Sequence, residues 1–137
     1  MPTLDLVLRN CNLINENSIS QVDIAIKDKR IEKISSSISE KANKEIDVNG
    51  KNVAPGVIDD QVHFREPGLT KKGEIKTESL AALYGGITST MDMPNVSPAS
   101  TTLDLLEERF QLAKEKSWTN YSFYLGATPD NIDEIKK

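Results

Sequence analysis

The chain has one cysteine, Cys11, and one histidine, His63. A lone cysteine excludes an internal disulfide. One histidine cannot by itself complete a catalytic zinc site, which ordinarily takes three protein ligands. No apolar run approaches the ~20 residues needed to cross a bilayer, and Asp5 and Arg9 interrupt the first apolar stretch where a secretory signal would have a basic start and an apolar core. Positive charge is also scarce: 17 Lys and Arg against 21 Asp and Glu give a net charge of −4 and a pI near 5.1. With the lysines scattered rather than striped, nucleic acid has no electrostatic footprint here. No phosphate-binding glycine loop, paired CxxC or Gly-x-Ser-x-Gly elbow occurs, which leaves dinucleotide and nucleophilic-serine chemistry without support. The expectation is a soluble, globular, cytoplasmic protein with neither a membrane nor a nucleic-acid partner.

What is present is strongly patterned. Apolar residues make up 37% of the 137, enough for a core in a chain of ordinary domain length. Between residues 4 and 48, short β-branched and apolar bursts at 4–8, 11–14, 22–26, 31–34 and 46–48 alternate with polar positions. Period-two patterning predicts strands with one buried face, and Asn15-Glu16-Asn17-Ser18, Asp28-Lys29 and Asn49-Gly50 predict turns. The reading is a small antiparallel sheet, with the polar run 35–44 as a solvated loop.

After Pro55-Gly56 the period changes. Val57-Ile58 predicts a short strand, residues 73–84 a helix ending at Gly85-Gly86, residues 87–92 a second strand, and residues 102–116 a helix with Leu103, Leu106, Phe110 and Ala113 on one face. Thr101 with Asp104 predicts its capping box. A third strand is expected at 121–125, and Asp130 is expected to cap a last helix from about Asn131. Alternating strands and helices predict parallel βα units with right-handed crossovers. The domain reading is therefore 1–54, β-rich, and 55–137, α/β. Three units cannot close an eight-stranded barrel, and a three-stranded parallel sheet leaves an open edge. The chain reads as the amino-terminal part of a longer protein, with a self-contained three-strand α/β domain as the alternative.

The chemistry concentrates in residues 55–68, Pro-Gly-Val-Ile-Asp-Asp-Gln-Val-His-Phe-Arg-Glu-Pro-Gly. Gln61, His63 and Arg65 are spaced by two and share one face of a strand. An imidazole for a divalent metal, a guanidinium fork for a carboxylate and an amide describe the floor of a pocket for an anion beside a metal. The plain alternatives are a hydrogen-bonded structural histidine and a surface ion pair between Arg65 and Glu66 worth ~0–1 kcal/mol. Met91-Asp92-Met93-Pro94-Asn95 ends the second strand on the same rim. Asn95 reads equally as a substrate contact and as an Asx turn.

These motifs resemble the signature of dihydroorotases in the amidohydrolase superfamily, usually Asp-x-His-x-His-x-Arg. Asp59, Gln61, His63 and Arg65 stand at its positions, and Glu66-Pro67-Gly68, Gly85-Gly86-Ile87-Thr88 and Met93-Pro94-Asn95 follow in the expected order. Residues 6–10 and 53–56 are similar to the superfamily's flanking β domain, so the resemblance spans essentially the whole chain. Allantoinases, hydantoinases and dihydropyrimidinases share the fold. The resemblance implies a (β/α)8 barrel of the TIM type with a small amino-terminal β domain, here with its first three βα units. It implies reversible, zinc-dependent hydrolysis of L-dihydroorotate to N-carbamoyl-L-aspartate in pyrimidine biosynthesis. One or two zinc ions and a homodimer when full length are also implied. Arg65 and Asn95 map to the contacts for the substrate carboxylate, and His63 to a zinc ligand. The catalytic aspartate and remaining ligands would lie on later strands, so that no catalytic residue falls within this chain and the chain alone is expected to be inactive.

Gln61 departs from that pattern, standing where a second histidine is usual. Zinc prefers imidazole to a neutral amide. Two readings follow: a weakened or single-metal site, or a catalytically degenerate homologue kept as an assembly partner.

Overall fold

The computed structural model describes residues 4–137. The chain divides into two compact units, the first ending at Pro55 and the second spanning Gly56–Lys137.

The first unit is built on one long strand, β1 (Leu4–Asn15), with β2 (Ser18–Lys27), β3 (Arg30–Ser35), β4 (Ala42–Asp47) and β5 (Asn52–Val53). The sheet order is β3-β2-β1-β4, with β5 also on β1. β1 pairs antiparallel with β2, and β2 with β3, but β4 and β5 run parallel to β1. The sheet is therefore mixed, not antiparallel as expected. The cause is the crossover through residues 36–41, where Ile38 is 2% exposed and joins Leu4, Val7 and Ala25 in the core. Burying such a side chain stabilises by roughly 1.5–3 kcal/mol, so this segment is an anchored connection rather than a solvated loop. The two hairpin turns form as predicted: Glu16 and Asn17, then Asp28 and Lys29, have positive φ at both central positions, as type I′ turns require. Two apolar bursts merge into β1 because the register shifts between Leu8 and Cys11, around Asn10 at φ +57°, a bulge that lets one strand continue.

The second unit runs β6 (Val57–Val62), α1 (Ile75–Tyr84), β7 (Ile87–Asp92), α2 (Leu103–Lys116), β8 (Asn120–Phe123) and α3 (Ile132–Ile135). Its sheet is β6-β7-β8, parallel throughout. Val62, Phe64, Ile75, Ala113 and Phe123 form the core under α1 and α2, with Phe110 edge-on to Phe123 at 5.0 Å. β6 is an edge strand whose Val57 and Ile58 are 55% and 67% exposed. No closed barrel is present among the described residues, and none of their helices is long and apolar enough to cross a membrane.

Two helix caps differ from expectation. Thr102, not Thr101, caps α2, accepting from Leu105 N at 3.3 Å, because Thr102 is the residue whose extended backbone aims its hydroxyl into the first turn. Asp130 does not cap α3, whose N-cap residue is Asn131, without a side-chain cap bond. Asn131 Nδ2 instead donates to Thr101 O (2.8 Å) and Gly126 O (2.7 Å), while Oδ1 accepts from Thr128 N (2.8 Å). The amide thus ties together the two loops that follow β7 and β8.

Candidate functional site

All three parallel strands deliver their carboxyl ends to one rim. β6 stops at Val62, so His63 and Arg65 lie just past the strand rather than within it. Burial still alternates: Val62, Phe64 and Glu66 are buried, while Gln61 and His63 are exposed and Arg65 half-buried. Phe64 and Val62 supply core contacts that hold this segment extended and turn the polar side chains away from it. At Arg65 the chain enters the left-handed region, φ +64°, and the next residues turn through Gly68 at φ +79°, where a Cβ would lie 2.0 Å from Ser97 O. Only glycine fits there.

Met93 N donates to Val62 O (3.0 Å), extending the β6–β7 pairing by one bond and bringing Asn95 beside His63. His63 Nδ1 and Asn95 Oδ1 are 2.9 Å apart. A neutral imidazole that donates from Nδ1 keeps the Nε2 lone pair for another partner. Arg65 Nη1 donates to Asn95 O at 3.4 Å. Asn95 therefore uses its side chain on His63 rather than closing an Asx turn. The alternative of an Arg65–Glu66 surface pair does not form: Glu66, 6% exposed, takes Lys116 on Oε1 and the first-turn amide Ile75 N on Oε2 (3.0 Å). That bond and the attraction of Glu66 push the Lys116 ammonium pKa up. Gln61 is held through its backbone, N–H to Asp59 Oδ1 at 3.1 Å.

Sequence reading missed the support behind this rim. Asp92 and Arg109, 2% and 0% exposed, form a buried ion pair. Arg109 Nη1 also donates to Met93 O (3.1 Å) and Ser100 Oγ (3.3 Å), its guanidinium carbon lies 4.3 Å from the Phe123 ring centroid, and Asp92 Oδ1 accepts from Phe64 N (3.2 Å). Burial pushes the Asp92 carboxyl up, opposed by Arg109 and the Phe64 amide, and pushes the Arg109 guanidinium down, opposed by Asp92. The available signal was Arg109 within the apolar face of α2, one residue before Phe110.

Across β7, Tyr124 Oη donates to Asp60 O at 3.1 Å, beside Gln61. A concavity of about 680 Å3 lies along α2 among Asp104, Glu107, Glu108, Gln111, Leu112 and Glu115. It contains none of the rim residues, and its four carboxylates repel an anionic ligand.

The donors on the rim do not fit a complete zinc site. They are the imidazole of His63 and the neutral amides of Gln61 and Asn95, and no group of three or more His, Cys, Asp or Glu that could hold a metal occurs among the described residues.

Similarity to known proteins gives first the class, the cyclic amidohydrolases, and then the family. The dihydro-orotase-like family matches residues 50–133, well over half of the chain, and the chain belongs to it. Three curated relatives are similar: an L-hydantoinase of Paenarthrobacter aurescens, 36% identical over 97% of this chain and 30% of its own length; a dihydroorotase of Fusobacterium nucleatum, 38% over 82% and 26%; and an allantoinase of Deinococcus radiodurans, 37% over 97% and 30%. The solved L-hydantoinase from Arthrobacter aurescens superposes with a TM-score of 0.92 at 34% identity, covering 98% of this chain and 30% of that one. The chain thus spans between a quarter and a third of the length of these relatives, whose names denote hydrolases of cyclic amides.

Proposed function

We propose that this chain is the amino-terminal part of a dihydroorotase. The reading is that L-dihydroorotate and N-carbamoyl-L-aspartate are interconverted in pyrimidine biosynthesis by the intact protein, a cytoplasmic homodimer whose β6, β7 and β8 open a (β/α)8 barrel. Identities of 36–38% to a hydantoinase, a dihydroorotase and an allantoinase do not rank these activities, so the choice rests on the rim. The observation that carries it is the link from Arg65 through Asn95 to His63. A guanidinium fork beside a side-chain amide suits a carboxylate, which dihydroorotate carries and the neutral rings of allantoin and simple hydantoins lack. In this reading Arg65 and the Asn95 amide N–H bind that carboxylate, and Asn95 Oδ1 stays on His63.

Zinc is carried by the family resemblance. His63 Nε2, with the Gln61 amide oxygen as a weaker donor in the place of a usual histidine, is what these residues would offer it, and further ligands would have to come from outside residues 4–137. Turnover of L-dihydroorotate, allantoin and a 5-alkyl hydantoin by the intact protein tests the reading. Preference for dihydroorotate, abolished in Arg65→Met, supports it, and an Arg65→Met variant with undiminished dihydroorotate turnover overturns it. Gln61, standing where a second histidine is usual, favours a second reading, a noncatalytic partner in an assembly. Zinc bound at stoichiometric level together with activity in the unmodified intact protein eliminates that one.

A further inference from the structure

The Asp92–Arg109 pair touches none of the exposed rim groups, yet it grips both backbone segments that carry them. Asp92 Oδ1 takes the amide of Phe64, the residue between His63 and Arg65. Arg109 takes the carbonyl of Met93, two residues before Asn95, and through Ser100 Oγ the loop beyond it, where Ser100 N donates to Pro94 O at 3.1 Å. One guanidinium and one carboxylate therefore hold the His63–Arg65 segment against the 93–95 segment from beneath. Breaking a buried ion pair by removing one partner is strongly destabilising, while replacing both partners with apolar groups of similar volume is often neutral or stabilising. Stability alone is thus a weak reason for so buried a pair. Its directed hydrogen bonds are what an apolar replacement cannot supply.

We propose that Asp92 and Arg109 are positioning residues that set the spacing and orientation of His63, Arg65 and Asn95 for an anionic cyclic-amide substrate. The proposal rests on the dihydroorotase reading for its substrate, though not for its geometry. The two roles separate in a double variant. Asp92→Leu with Arg109→Met removes both charges together, so folding stability should recover relative to Arg109→Met alone, while the bonds to Phe64 N and Met93 O stay lost. In the intact protein the double variant is expected to melt above Arg109→Met alone and below the parent, since Phe64 N and Met93 O lose their partners. Its KM for dihydroorotate should rise at least tenfold with kcat changed less, and peptides covering residues 62–66 should exchange backbone hydrogen faster. Arg109→Lys, which keeps the charge but not the fork, is the milder companion should the double variant not fold, with the same expected split between KM and kcat. A well-folded double variant or Arg109→Lys with parental KM and parental protection at 62–66 overturns the proposal. Should the parent hydrolyse no cyclic amide, the dihydroorotase reading fails, and the exchange measurement alone still decides the positioning role.

Discussion

Asn95 faces His63 with its side-chain oxygen, 2.9 Å from Nδ1, and so leaves its amide N–H groups to point elsewhere. A residue engaged on one side and donating on the other couples the imidazole to whatever the amide binds. Asn95→Ala removes both contacts. A hydrogen bond contributes about 1 kcal/mol, more when the partner is charged, so KM for dihydroorotate in the intact protein should rise roughly tenfold. Steady-state kinetics checks this, with the melting temperature as the control for folding.

Arg65 holds its guanidinium from a left-handed backbone, φ +64°, which costs an L-residue roughly 1–2 kcal/mol. Arg65→Gly relieves that cost and adds about 0.5–1 kcal/mol of lost chain freedom. Thermal unfolding is therefore expected within a few degrees of the parent, while affinity for a carboxylate-bearing substrate is lost. A large drop in melting temperature would contradict the assignment of Arg65 to binding rather than packing.

Gly68→Ala places a methyl group 2.0 Å from a backbone oxygen at φ +79°. Neither the carbonyl of Ser97 nor the backbone angle can give way cheaply. A loss of ~2 kcal/mol or more in urea unfolding is expected, with substrate turnover reduced because the same turn follows Arg65.

Asp23 sets an acid limit on the first unit. Burial raises its pKa, but the hydrogen bonds from Arg9 and from the Asn10 and Ile38 amides outweigh that, and the net shift is below the ordinary 3.8. The folded pKa lies under the unfolded one, so the stabilisation is fully present above the unfolded pKa and fades as pH falls through the folded value. Melting curves from pH 6 down to pH 2 should show a loss below about pH 4 that Asp23→Asn, already lacking the charge, shows less steeply.

The legible part of this chain was what period and turn chemistry control. The positive-φ pairs at Glu16-Asn17 and Asp28-Lys29 and the strand over Ile87–Asp92 follow from local residues alone. The parallel course of β4 does not, because the direction of a strand depends on where its connection is anchored, and a single buried Ile38 in a polar run carries little periodic signal. His63, Arg65 and Asn95 meet on the rim, but His63 and Arg65 lie past the end of β6 rather than on one strand face with Gln61. Their support did not show, since a charge within the apolar face of α2 reveals its role only once Asp92 is seen to meet it. The cap at Thr102 was displaced by one residue for a related reason: Thr101 and Thr102 compete for one role, and the backbone angle chooses between them.

The β6 edge governs how this polypeptide behaves in a test tube. Val57 and Ile58 stand open along a strand whose one side is unpaired among the described residues, a ready template for another strand. Concentrated solutions of the 137-residue chain are expected to associate through that edge, with light scattering rising with concentration, and a lysine at position 58 should keep the sample monodisperse.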